Sequence, residues 1–251
     1  MFFSAFTALI FFNLFDQVLD AYPSRLLHIG HDEIDDGPVG VCPNCKGIPL
    51  WQLLAEDIWK LYDYLTVRRG VRLMMWPDMI IPWFRGGPRD GQNGREYIPP
   101  HMFMHFAVDR LPKDIIMTDW EYTSRSYYLK AEEAPEGSYP SLDYLLNNGF
   151  TVLPFGWNDP RSIMLFSQSA WRRSKINWAK PGQGGAANIL GEHRNDVIGY
   201  AGCTWGHWGH DMSLTAKGHA VTAAFAWNPN QTMAEMPDNP FQFLLDTMEW
   251  I

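Results

Sequence analysis

A chain of 251 residues that is 46% hydrophobic and 19% charged has the profile of a globular protein with ample material for a buried core, in one large domain or two small ones. With 28 acidic against 20 basic side chains and a formal net charge of −8, it has no surplus of Lys and Arg to neutralise phosphates, which argues against general nucleic-acid binding. Three cysteines, an odd number, exclude a dense disulfide framework, whereas 12 tryptophans exceed what an ordinary core requires and invite carbohydrate, since indole faces stack on the apolar faces of sugar rings.

The opening "MFFSAFTALIFF" is apolar like a signal peptide but lacks a basic leading segment and a small-residue cleavage site. Its pattern runs on into "NLFDQVLDAYPSR", so it is read as an amphipathic helix ending before Pro23. Apolar runs typical of buried strands follow in order: "RLLHIG", "VRLMMW", "DIIMTDW", "FTVLPFGW" and "VIGYAGCTW". Between and after them, "PLWQLLAEDIWKLYDYLTVRRG", ending at Gly70, "SIMLFSQSAWRRSK" and "SLTAKGHAVTAAFAW" carry apolar residues at helical spacing. Near-continuous apolar strands alternating with helices predict an α/β fold with a parallel sheet. No later apolar run is long enough to span a bilayer.

Each strand run ends in a polar or aromatic cluster: His31-Asp32-Glu33, Trp76-Pro77-Asp78, Asp119-Trp120-Glu121-Tyr122, Trp157-Asn158-Asp159 and Trp205-Gly206-His207-Trp208. A (β/α)₈ barrel builds its active site from the loops at the carboxyl ends of its strands, whereas a doubly wound sheet usually uses one switch point, so a TIM-type barrel is expected. A complete barrel needs about eight strands and only five are visible here, separated by long irregular stretches at 82–112 and 177–195. The expectation is therefore one catalytic domain over 1–251, a barrel lacking its first strands at the amino end.

The octapeptide "LHIGHDEI", Leu27 to Ile34, admits three chemistries. "HIGH" is a nucleotide-binding signature of class I tRNA synthetases, but neither "KINWAK" nor "DMSLTAK" supplies the lysine-rich loop such enzymes carry. A metal site would use His28 and His31 with Asp32 or Glu33, yet alternate side chains of a strand turn opposite ways and no HExxH spacing is present. Cys42 and Cys45, two residues apart, are weak candidates for half of a zinc site; free thiols or a local disulfide are the alternatives. The third reading takes Asp32 and Glu33 as acid machinery at a strand end. Glycoside cleavage needs a protonated carboxyl group for the leaving oxygen and a second group to stabilise charge at the anomeric carbon, and adjacent acids raise each other's pKa.

Taken together, "HIGHDEI", "RLMMWPDMI", "DIIMTDWEY" and "GYAGCTWGHW" resemble glycoside hydrolase family 20, the β-N-acetylhexosaminidases, whose fourth-strand motif reads His-x-Gly-Gly-Asp-Glu. The resemblance runs from Phe15 to Pro229 and covers the later part of that family's barrel. It implies that Glu33 is the general acid/base and that Asp32 holds and polarises the substrate's 2-acetamido group, whose carbonyl oxygen attacks the anomeric carbon. His28 would orient the pair, and His31, in place of the second glycine, would line the pocket. Trp76 and Trp205 match the pocket-wall tryptophans, with Trp120 as a third wall. Asp78 and Asp119 would accept from sugar hydroxyls; Tyr122, Trp157 and Asp159 are candidates around the family's acetamido-binding tyrosine and its aspartate. Two departures stand out: Trp205-Gly206-His207 replaces Trp-x-Glu, leaving His207 where the family has a glutamate, and the first-strand arginine has no counterpart.

The implied activity is removal of terminal β-linked N-acetylhexosamine from a glycan or glycoconjugate by a retaining, substrate-assisted route that needs no cofactor. Two other expectations compete: a non-catalytic carbohydrate-binding protein or inactive fragment, and a retaining glycosidase using Asp119 or Asp159 as nucleophile. Neither compartment nor oligomeric state follows from these residues.

Overall fold

The computed structural model describes residues 5–34, 43, 45–83, 103–129, 133–175, 195–205, 212–230 and 232. It is an α/β fold with parallel strand pairings and helices, divided into two compact units, Met1–Ile116 and Met117–Ile251. Among the described residues no helix is long and apolar enough to cross a membrane.

In the first unit, α1 (Ala5–Ala21) stops short of Pro23, as the sequence predicts. Strands β1 (Leu26–His28) and β2 (Arg72–Met75) pair in parallel with His28 opposite Met74. Their ladder extends past both carboxyl ends through Ile29 N–H to Met74 O (2.8 Å) and Trp76 N–H to Gly30 O (3.0 Å). The crossover between them is α2 (Leu50–Leu61), whose buried Leu50, Leu53, Leu54, Ile58 and Leu61 recur at the three- and four-residue spacing of one helix face. A π-helical segment, Tyr62–Val67, continues it, and Gly70 at φ +70° turns the chain into β2. Tyr64 stacks on Phe12 at 3.9 Å and donates its hydroxyl to Asp16, tying α1 to this segment. A 3₁₀ turn, Asp78–Ile80, follows β2, and a longer one, Met104–Arg110, packs on α2 within the stretch that the sequence reads as irregular.

In the second unit, β3 (Ile116–Met117) begins at the boundary, and β4 (Thr151–Val152) and β5 (Phe155–Gly156) share the run read as a single strand. Pro154 lies between them and has no N–H to give a ladder. Beyond the short strands the backbone stays in register: Leu153 N–H meets Met117 O at 2.9 Å and Phe155 N–H meets Asp119 O at 2.7 Å. Strand β6 (Ala201–Gly202) lies parallel to β5. Helix α3 (Pro140–Asn147) packs on β4; α4 (Pro160–Arg173) packs on β5 and on α5 (Met212–Trp227). Arg173 clamps Asp143 with two hydrogen bonds of 2.6 Å, joining α4 to α3.

Gly218 lets α5 lie against the turn after β5. A Cβ there would stand 2.6 Å from the carbonyl oxygen of Trp157, a backbone atom that has little room to retreat. Alanine gains about 1 kcal/mol of helix propensity over glycine. The overpacking costs about 1–3 kcal/mol, so the clash wins. Gly218→Ala is therefore expected to lower the urea midpoint of unfolding, and an unchanged or higher midpoint would contradict this packing.

Candidate functional site

The turn after β1 departs from ordinary backbone geometry. Gly30 (φ +73°), His31 (φ +72°) and Glu33 (φ +52°) all lie in the left-handed region, where non-glycine residues cost of order 1–3 kcal/mol each. Side chains hold the turn from several directions. Asp78, wholly buried in the 3₁₀ turn after β2, accepts from the Glu33 backbone N–H at 2.9 Å, and the Met79 sulfur accepts from Ile34 N–H at 3.3 Å. The result brings the ends of two neighbouring parallel strands together, with Asp32 half-buried and the Glu33 side chain exposed.

His28 sits beneath this turn. Its Nδ1 accepts from Gly30 N–H at 3.0 Å, and its ring lies 4.5 Å from that of Trp76. Burial, with His31 nearby, pushes its pKa down to about 4, so the ring is neutral at neutral pH, as an acceptor must be. The His31 side chain is 8% exposed, with Nδ1 at 3.0 Å from Ile29 O and Nε2 at 3.2 Å from the Asp57 carboxylate of α2. Asp78 is wholly buried, with one carboxylate oxygen on the Glu33 amide.

In the second unit, Trp120, Tyr122, Trp157 and Trp205 form one aromatic cluster. Tyr122 stacks on Trp120 at 5.1 Å and meets Trp157 at 5.6 Å, and its hydroxyl accepts the Trp205 indole N–H at 2.6 Å. Trp205 remains 41% exposed, so this cluster offers an indole surface beside a polar oxygen. Cys203 belongs to it too: its sulfur lies 3.3 Å from the Tyr122 hydroxyl and 3.2 Å from Gly156 O. Burial pushes the Cys203 thiol up, which suits a packed neutral thiol rather than a nucleophile.

Asp119 and Asp159 are both engaged in structure. Asp159 is the N-cap of α4, accepting from Arg161 N–H at 3.1 Å and Ser162 N–H at 3.3 Å. Asp119 is fully buried, accepting from Tyr128 at 3.1 Å and from Ser141 at 2.7 Å, and is not a surface acceptor. Its neighbour is Glu121, also fully buried, which accepts from Ser126 at 2.8 Å and lies 3.3 Å from the same Ser141 hydroxyl. Burial pushes Asp119 up to about 6, and burial together with Asp119 pushes Glu121 well above the carboxylate range. Cys45 is buried and disulfide-bonded, so its sulfur is no thiolate ligand for a metal. Cys42 and His207 lie outside the described residues, among which no group of three His, Cys, Asp or Glu side chains could hold a metal ion.

No family model matches the chain, and neither does any curated protein. Among solved structures it is similar to the β-N-acetylhexosaminidase from Bacteroides fragilis NCTC 9343, with 17% sequence identity and a TM-score of 0.48. That match covers 98% of this chain and 44% of the other, so the chain spans less than half the length of that protein.

Proposed function

We propose that the chain carries the acid/base machinery of a glycoside hydrolase that removes terminal β-linked N-acetylhexosamine with retention, on the later strands of a (β/α)₈ barrel. The supporting observation is the turn after β1. Adjacent acids at the carboxyl end of a parallel strand are held in a strained conformation by a buried carboxylate from the next strand's end.

In this reading Glu33 protonates the glycosidic oxygen while the substrate's acetamido oxygen attacks the anomeric carbon from the other face. Asp32 accepts the amide N–H, aligning the nucleophile and offsetting the positive charge of the cyclic intermediate. Glu33, now ionised, takes a proton from the water that opens the ring. Trp76 supplies an apolar wall next to His28. In the second unit the Trp120, Tyr122, Trp157 and Trp205 cluster is a sugar-stacking surface. The Tyr122 oxygen, which accepts from Trp205 and lies 3.3 Å from the Cys203 sulfur, gives that surface a polar edge. Asp119 and Asp159, the acids considered as enzyme nucleophiles, are occupied by internal hydrogen bonds, which favours the substrate-assisted route.

A thiazoline that mimics the cyclised intermediate tests this. The expected result is competitive inhibition of aryl N-acetyl-β-glucosaminide cleavage by the full-length protein. Turnover that the thiazoline leaves untouched would argue against substrate assistance, and sugar binding without turnover would favour a non-catalytic carbohydrate-binding protein.

A further inference from the structure

We propose that His31 and Asp57 form a latch that positions the Asp32-Glu33 turn from the side of α2, a role that rests on the glycosidase reading only for its effect on turnover. The starting point is the backbone. At φ +72° a glycine would sit without strain, yet this chain places an imidazole there. A non-glycine residue persists in such a conformation when its surroundings over-determine it, and the surroundings of His31 are specific.

Both ring nitrogens face acceptors: the Ile29 carbonyl oxygen at 3.0 Å, within the same turn, and the Asp57 carboxylate at 3.2 Å, 26 residues away. The second of these contacts joins two side chains that are only 8% and 9% exposed, so the imidazole bridges the turn backbone to α2 largely out of water. The other Asp57 oxygen is buried without a hydrogen-bond partner among the described residues, so the pairing with His31 is what compensates burial of that carboxylate. The turn is thus held at two points: Asp78 takes the Glu33 amide from the side of β2, and Asp57 takes His31 from α2. His31 and Asp57 touch no substrate in this account. They act through the direction in which Asp32 and Glu33 leave the turn.

A double-variant cycle on the full-length protein tests the latch, using Asp57→Leu, His31→Gly and the two combined, with Asp57→Asn as the conservative variant. The readouts are amide hydrogen exchange across residues 29–34 and the kcat and KM for an aryl N-acetyl-β-glucosaminide. Either single change is expected to speed exchange in that turn by about tenfold or more while the rest of the unit exchanges as before. It should also lower kcat by about 10²-fold with little change in KM, because misplacing the acids costs rate rather than affinity. The double variant should be no worse than either single, and Asp57→Asn, whose amide oxygen still accepts the Nε2–H, should recover most of both losses. Wild-type exchange and kcat in Asp57→Leu, additive losses in the double variant, or a His31→Gly turn better protected than the wild type would overturn the proposal. If the wild-type protein shows no turnover at all, the glycosidase reading fails and the exchange arm alone decides the latch.

Discussion

Replacing Glu33 by Gln is expected to lower kcat/KM for an aryl N-acetyl-β-glucosaminide by about 10²–10⁴, the range that a positioned proton donor contributes. The amide keeps the shape of the side chain and can still donate a hydrogen bond, but it cannot hand over a proton. The loss should fall mainly on kcat, and it should shrink for a dinitrophenyl leaving group, which departs without protonation. The backbone of Glu33 is held independently of its side chain, through its N–H to Asp78, so the substitution leaves the turn in place. Near-normal turnover on a poor leaving group would show that Glu33 is not the acid.

The second large effect concerns pH and stability, and it has opposite signs in the two units. Asp119 is pushed up to about 6 in the folded protein, so the native state holds a proton that the unfolded chain has already released. Its stabilising effect is present below the unfolded carboxylate pKa of about 4 and is lost as pH rises through about 6, by about 3 kcal/mol when complete. Glu121, held higher still by burial and by Asp119, extends the loss to higher pH. In the first unit His28 is pushed down to about 4, so here the unfolded chain binds the proton first. That contribution is complete above the ordinary histidine value of 6.5 and is lost as pH falls through about 4, again by about 3 kcal/mol. Hydrogen exchange followed by mass spectrometry resolves the units separately. Between pH 4 and pH 7 peptides of the second unit should become less protected and those around β1 more protected. Asp119→Asn should flatten the first trend, and a common slope in both units would contradict the assignment.

The parts of the fold that were legible in the sequence are those governed by local pattern. The helix before Pro23, the crossover ending at Gly70 and the five apolar runs all rest on periodicity and chain breakers, and each has its counterpart. Pro154 was visible too, and it marks where one predicted run becomes β4 and β5. Helix α3 and the 3₁₀ turn at Met104–Arg110 escaped because a single apolar stripe over seven or eight residues is weak against a loop reading.

The candidate site divides along the same line. The placement of Asp32 and Glu33 at a strand end follows from the strand itself, whereas the fate of each polar neighbour depends on contacts distant in sequence. The pairing of His31 with Asp57, 26 residues away, has no trace in the sequence around the turn. Asp119 looks like a ligand for sugar until the hydroxyls of Tyr128 and Ser141 enclose it. In "DWEY" the side chains alternate along an extended backbone, so Asp119 and Glu121 go inward while Trp120 and Tyr122 join the aromatic cluster. That alternation was available from the sequence; which face was the interior was not.

The most direct test compares two aryl β-glycosides that differ only at the 2-position of the sugar, one bearing an acetamido group and the other a hydroxyl, measured under the same conditions on the full-length protein. If the substrate's own amide is the nucleophile aimed by Asp32, the acetamido sugar is cleaved and the hydroxyl sugar is not, and Asp32→Asn loses most of that turnover. Comparable cleavage of both sugars, or cleavage that Asp32→Asn leaves intact, would contradict the account.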